Sequence, residues 1–305
     1  MSPRSVIIDT DPGIDDAVAM LAALASPEFD LLGITTVAGN IGIATTTRNA
    51  GRILALARRS DVPVIAGAAG PLARKGFDVA DIHGNDGLGG VGFPEPAAPP
   101  RSTHASAWLA ETLIGRPAGT VDILALGPLT NIAQLLADAP DAARRIGRII
   151  AMGGAVREPG NVGPRSEFNL AADPEAAEAV LGAGLPLTLI PLDVTRRVRA
   201  DRPYVEGLRA AGTAASRASA DLIAAYFQTT TGGESRPLHD PCVMLMALAP
   251  HLFGCEDMAL SVDCGETRDA GSLEPAGDGR RPVSVALTVD GGGALSLLAA
   301  RLTQR

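Results

Sequence analysis

Aromatic residues and cysteine are scarce in this chain. Its 305 residues include one tryptophan, two tyrosines, six phenylalanines and three cysteines. Aromatics make up 3% while hydrophobic residues in total reach 46%, so aliphatic and alanine side chains must fill the core. Cys242, Cys255 and Cys264 form no Cys-x-x-Cys pair and are odd in number. A reduced, cytoplasmic setting fits them better than a disulfide framework. Positive charge is also lacking. The net charge of −8 argues against nonspecific nucleic-acid binding, which needs a basic face. No apolar run approaches the length of a membrane span, and the opening "MSPRSVII" has no signal-peptide core, so no membrane partner is expected. Neither a GxxxxGK phosphate loop nor a GxSxG nucleophile elbow is present, and no internal repeat is visible. "GLGGVG" (87–92) matches GxGxxG in letters only. "DIHGND" precedes it and "FPEPAAPP" follows, so the strand and helix of a dinucleotide site are missing.

What is there is an alternation of short apolar segments and amphipathic ones. Strands are expected at Ser5–Asp9, 29–39, 62–67, 121–126, 148–154 and 185–193. Helices are expected between them, at Ile14–Ser26, Thr45–Ala57, 106–114 and 128–140. The strands are apolar throughout, as in a parallel sheet buried on both faces. The reading is therefore an α/β fold: a single domain over 1–305, with a mostly parallel, Rossmann-like central sheet covered by helices on both faces. Further helices dominate from about Asp201 to Ala249. Two strands, "MALSVD" and "PVSVALTVD", and a helix after Gly293 close the chain.

The first strand runs into "DTDPGIDDAVA", which places Asp9, Asp11, Asp15 and Asp16 within eight positions. In an open α/β sheet this is the edge where ligands bind. Any one of these aspartates has a simple reading as a helix cap. Four together do not, because neighbouring carboxylates repel by roughly 1 kcal/mol per pair even in water. A hard divalent cation, Ca²⁺ or Mg²⁺, resolves the repulsion. The spacing lacks the glycine and glutamate of an EF-hand loop. It also departs from the Asp-x-Asp-x-Thr of aspartyl phosphotransferases, because Gly13 stands where the threonine would be.

Downstream, "TVAGN" (36–40), "HGNDGLGG" (83–90), "LALGPLTNIA" (124–133), "AMGGA" (151–155), "GNVGPRSEFNLAADPEAA" (160–177) and "PLHDP" (237–241) follow in order. With "DTDPGIDDAVA", this series resembles the inosine-uridine-preferring nucleoside hydrolases over most of the chain. The resemblance implies calcium-dependent hydrolysis of the N-glycosidic bond of free ribonucleosides to ribose and nucleobase. It implies a Ca²⁺ ion held by Asp11, Asp16, the Leu126 carbonyl and Asp240, with Asp11 as base toward water and Asp9 as a buttress of the loop. Asp15, Asn40, Asn161, Glu167 and Asn169 would grip the ribose hydroxyls, with Phe168 flanking base or ribose and His83 near the base. His239 would protonate the leaving base or, alternatively, position it.

Read locally, Asp240 and Pro241 also form a helix start, and His83 reads equally as a loop histidine bonded to backbone. Tyr226 and Gln228 lie where base contacts vary and are left unassigned, as is the region from Arg202 to Gly233. His104 and His251 read as surface or cap residues, and Cys242 as a small buried hydrophobe. The family forms dimers and tetramers, so a homodimer or homotetramer is implied. A metal-dependent phosphohydrolase and a noncatalytic nucleoside- or sugar-binding protein are the competing functions.

Overall fold

The structure is a computed structural model that describes residues 3–229 and 234–304. Among the described residues the strands are β1 (Arg4–Thr10), β2 (Phe29–Thr36), β3 (Val64–Ala66), β4 (Val121–Ala125), β5 (Ile146–Met152) and β6 (Leu187–Ile190). There follow β7 (Arg199–Asp201), β8 (Ser235–Pro237), β9 (Phe253–Met258), β10 (Leu260–Val262), β11 (Leu273–Pro275) and β12 (Val283–Val289). Eight of them form one sheet in the order β3-β2-β1-β4-β5-β6-β12-β9. Every pairing in it is parallel except β12 with β9. The chain leaves β1 toward β2 on one side and later returns to β4 on the other. That reversal opens a crevice at the carboxyl end of β1.

The pleat sends alternate residues to opposite faces. Val6 and Ile8 join one core with the helices Ile14–Leu24, Pro241–Leu248 and Gly291–Leu302. Ile7 joins the other with Ala105–Ile114, Thr130–Asp138 and Pro174–Gly182. Both cores are aliphatic, with Phe93, Phe168 and Phe253 the buried phenylalanines. Helices cover both faces, and the extra ones run at Arg202–Ala211 and Ala214–Thr229. No described helix is long and apolar enough to cross a membrane.

Three expectations need correction. The segment 185–193 is not one strand: β6 stops at Ile190, and a turn of helix follows at Leu192–Thr195. Pro191 has no N–H to continue the ladder. The C-terminal region holds more strand than expected. β9 was missed because its side chains from Gly254 to Asp257 are exposed, so an edge strand offers no two-sided apolar run. "MALSVD" divides between the end of β9 and β10, which pairs with β11 away from the main sheet. The closing helix begins at Gly291, where Asp290 accepts the Gly293 N–H at 2.9 Å. The glycine run hid that start, since glycine disfavours helix interiors.

Candidate active site

Asp9 lies near the end of β1, in register with Thr35 of β2 and Ala125 of β4. Its Oδ1 accepts the Thr35 hydroxyl at 2.5 Å and the Asn131 amide at 2.8 Å. It is fully buried and does not line the cavity, as a buttress would be. Burial pushes its carboxyl up to about 6 despite both donors.

Past the strand, the chain wraps around Asp16. The Thr10 hydroxyl donates to Asp16 Oδ1 at 2.6 Å. The Gly13 N–H at 3.0 Å and the Asn40 amide at 2.9 Å donate to its Oδ2. Asp16 thus completes the first helical turn and fixes its own rotamer. Asp11 Oδ2 accepts the Asn40 N–H at 2.7 Å. Asp11 Oδ1 is buried and has no hydrogen-bond partner among the described residues. Two loops press their backbones against this carboxylate. A Cβ added at Gly39 or Gly127 would lie 3.0 or 2.8 Å from the Asp11 carboxyl carbon.

Asp240 arrives from the far end of the chain. It is the N-cap of Pro241–Leu248, with Pro241 in the first turn, yet its side chain makes no capping hydrogen bond. The helix-start reading is right about position and leaves the carboxylate free for the site. Carboxylate oxygens of Asp15, Asp16 and Asp240 lie within 4.8 Å of one another. This trio has Asp15 where the resemblance implies Asp11. Burial, then the charges of Asp15, Asp16 and Asp11, raise the Asp240 carboxyl well above its usual range. Burial and the Asp16 charge do the same for Asp11.

Above the aspartates lies a cavity of about 300 Å³. Asp15, Asn40, His83, Leu126, Asn161, Glu167, Phe168, Asn169, His239 and Asp240 all line it; Asp11 and Asp16 are fully buried and do not. Many of its polar groups already serve the protein. Asn169 donates to the Leu126 carbonyl at 2.6 Å and the Met152 carbonyl at 3.2 Å. Asn161 accepts the Phe168 N–H at 2.9 Å. The Glu167 carboxylate accepts N–H groups from Asn169, Gly154 and Leu170, while burial pushes it up to about 7. That leaves Asn40 Oδ1, Asn161 Nδ2 and Asn169 Oδ1 outside these bonds.

The two cavity histidines differ in their anchors. His83 Nδ1 accepts the Ile14 N–H at 3.0 Å, so a neutral His83 carries its proton on Nε2. His83 is thus bonded to backbone, as its local reading has it, and also lines the cavity. His239 Nδ1 lies 2.8 Å from the Thr195 hydroxyl. Burial lowers the pKa of His239 below the usual histidine value.

The family model for the inosine-uridine preferring nucleoside hydrolases matches residues 6–295. The chain belongs to that family. A pyrimidine-specific ribonucleoside hydrolase of Photobacterium profundum is 41% identical over 254 residues, covering 82% of this chain and 81% of that one. Its counterpart in Salmonella gallinarum is 38% identical over 305 residues, covering 97% of both chains. Among solved structures, a plant nucleoside hydrolase superposes with a TM-score of 0.93 at 34% identity, over 99% of this chain and all of that one. A purine-preferring ribonucleoside hydrolase from Gardnerella vaginalis gives 0.91 at 31% identity, over 98% of both chains.

For a nucleoside hydrolase, the donor set fits a hard cation. Crowded carboxylates with raised pKa values, a buried oxygen with no donor, and backbone held against it by two glycines suit an oxygen-loving ion. Among the described residues the phosphohydrolase alternative finds no lysine on the cavity wall, and the two guanidiniums there are already engaged, Arg196 with the carbonyls of Pro159 and Gly160 and Arg199 with the hydroxyl and carbonyl of Ser235. Sequence reasoning missed Met152, Arg196 and Arg199 on the wall, and left Tyr226 unassigned. Tyr226 stacks on His83 with ring centroids 6.4 Å apart. Only Met152, at the carboxyl end of a strand, carried a positional signal. Gln228 is exposed and outside the lining, as His104 and His251 are exposed; residues 230–233 of the unassigned region lie outside the described residues.

Proposed function

We propose that this nucleoside hydrolase cleaves the N-glycosidic bond of free pyrimidine ribonucleosides, releasing ribose and the base, and that it requires Ca²⁺. One observation carries the reading. Asp240 and the aspartates after β1, remote in sequence, converge beneath a cavity whose wall holds the amides of Asn40, Asn161 and Asn169 and the imidazoles of His83 and His239. The 38–41% identical relatives named pyrimidine-specific favour pyrimidine substrates.

Asp11, Asp16, Asp240 and the Leu126 carbonyl would hold the cation. When bound, the ion supplies positive charge that balances the carboxylates and acidifies water at the site. Asp11, through its unpartnered Oδ1, takes a proton from the water that attacks the anomeric carbon. Asp15, Asn40, Asn161, Glu167 and Asn169 orient the ribose, and hydrogen bonds to its hydroxyls strengthen as the sugar gains positive charge. Phe168 bounds the sugar. As the carbon–nitrogen bond breaks, its electron pair passes to the base, and His239 gives that nitrogen a proton. His83 donates a hydrogen bond from Nε2 on the base side. The free thiols of Cys242, Cys255 and Cys264 are consistent with a cytoplasmic enzyme, acting as a homodimer or homotetramer.

The test is release of reducing sugar from uridine, cytidine, inosine and adenosine. Turnover of the two pyrimidine nucleosides ahead of the purines supports the proposal. Tight binding without turnover would make the chain a noncatalytic binder, and phosphate release from nucleotides would make it a phosphohydrolase.

A further inference from the structure

The turn after β6 braces the loop at 156–160 and touches one cavity histidine. In Pro191–Arg196, Asp193 accepts the Val156 N–H at 2.9 Å and the Arg157 N–H at 2.7 Å. Arg196 donates to the Pro159 carbonyl at 2.7 Å and the Gly160 carbonyl at 2.9 Å, bracing the loop that presents Asn161. Between them, Thr195 is fully buried, and its hydroxyl lies 2.8 Å from His239 Nδ1. Backbone hydrogen bonds from Val194 and Thr195 to Pro191 fix the turn that carries it.

From this juxtaposition we infer that Thr195 is a positioning residue for His239: its hydroxyl holds the ring so that Nε2, not Nδ1, faces the substrate. The inference rests on the proton-donor reading of His239 given above. A hydroxyl suits the task because it both accepts and donates. Whichever partner donates across the 2.8 Å contact, the hydroxyl holds Nδ1 and leaves Nε2 to the cavity. Nε2 gives its proton to the leaving nitrogen as the carbon–nitrogen bond breaks, and later takes one from solvent. His83 has no such freedom. Its Nδ1 faces the Ile14 N–H, which only donates, so that nitrogen is held as an acceptor. The two histidines line one cavity, and their anchors divide the work: His83 donates a hydrogen bond, and His239, through Thr195, delivers the proton.

The test compares Thr195→Val, Thr195→Ser and His239→Ala on uridine and on p-nitrophenyl riboside, whose leaving group needs no proton. Thr195→Val should lower kcat on uridine by roughly tenfold to a hundredfold, with KM and nitrophenyl riboside turnover within about threefold of the parent. Thr195→Ser keeps the hydroxyl and should recover most of the loss. In the double variant, Thr195→Val should add nothing to His239→Ala, because it acts through that ring. Equal losses on both substrates, a Ser variant as poor as Val, or additive losses in the double variant would overturn the inference while His239→Ala stayed selective for uridine. If His239→Ala itself lost both substrates equally, the donor reading would fall first. Should Thr195→Val not fold, the Ser variant and its double with His239→Ala decide alone: Thr195→Ser selectively defective on uridine by more than about tenfold would contradict the role.

Discussion

Gly127→Ala tests the seating of Asp11 without touching any ionisable group. The added methyl would lie 2.8 Å from the Asp11 carboxyl carbon, at least about 0.6 Å short of the 3.4 Å where ordinary contact begins. Backbone strain is not the issue, since the φ of Gly127 lies outside the left-handed region. The conflict is with a carboxylate held from the other side by the Asn40 N–H at 2.7 Å, so Asp11 must swing or the loop must move. Displacing a reacting group by somewhat under 1 Å lowers turnover by roughly a hundredfold, equivalent to about 2.7 kcal/mol of transition-state stabilisation. Overpacking lowers stability by about 1–3 kcal/mol, which leaves a domain of this size folded. The assay is kcat on uridine at saturating calcium, with circular dichroism and a thermal melt beside it. A folded Gly127→Ala protein with parental kcat would refute the reading of the site, because either Asp11, the proposed base, or the loop carrying the Leu126 carbonyl must shift.

Four further outcomes are expected. Asp11→Asn should lower turnover by at least about 1,000-fold on uridine and on nitrophenyl riboside alike, with the melt little changed; retained activity removes Asp11 as base. Asn131→Ala should lower the unfolding free energy by about 2–4 kcal/mol in urea titrations, since Asn131 donates to Asp9 at 2.8 Å and to the Thr36 carbonyl at 3.0 Å and accepts the Ala68 N–H at 2.9 Å; a neutral result contradicts the buttress. In calcium-free buffer, stability should fall as pH rises from about 4 to about 7. Asp9 and Glu167 have folded values of about 6 and about 7 against ordinary values of 3.8 and 4.5, so the folded state holds the extra protons in that window. Saturating calcium should reverse that slope, and adding calcium near neutral pH should release protons in calorimetry run in buffers of different ionisation enthalpy; no release would contradict raised carboxyls at the site.

The acidic cluster was legible because its members are adjacent in sequence and the strand before them is apolar throughout. The sheet was legible for the same reason. Asp240 was different. Its local signal was a helix cap, and only the ordered motifs joined it to Asp16; in the structure its carboxylate caps nothing and lies within 4.8 Å of carboxylate oxygens of Asp15 and Asp16. Strand β9 was invisible because an edge strand with exposed side chains has no hydrophobic period. Arg196 and Arg199 gave no warning, since arginines near a helix end usually read as solvated. Tyr226 sits on a long helix whose rotation relative to the sheet depends on packing across the fold, which no local window holds. Nor could spacing reveal that Asn40, read as a ribose ligand, also clamps Asp11 and Asp16.

The most direct test of the account is uridine hydrolysis before and after the cation is stripped. Protein freed of divalent ions by chelation, with metal content checked by elemental analysis, should release no ribose from uridine. Calcium returned in slight excess should restore full turnover with one ion bound per chain. Unchanged turnover in metal-free protein, or restoration that required no ion at the aspartates, would contradict the claim that Asp11, Asp16 and Asp240 serve a single catalytic cation.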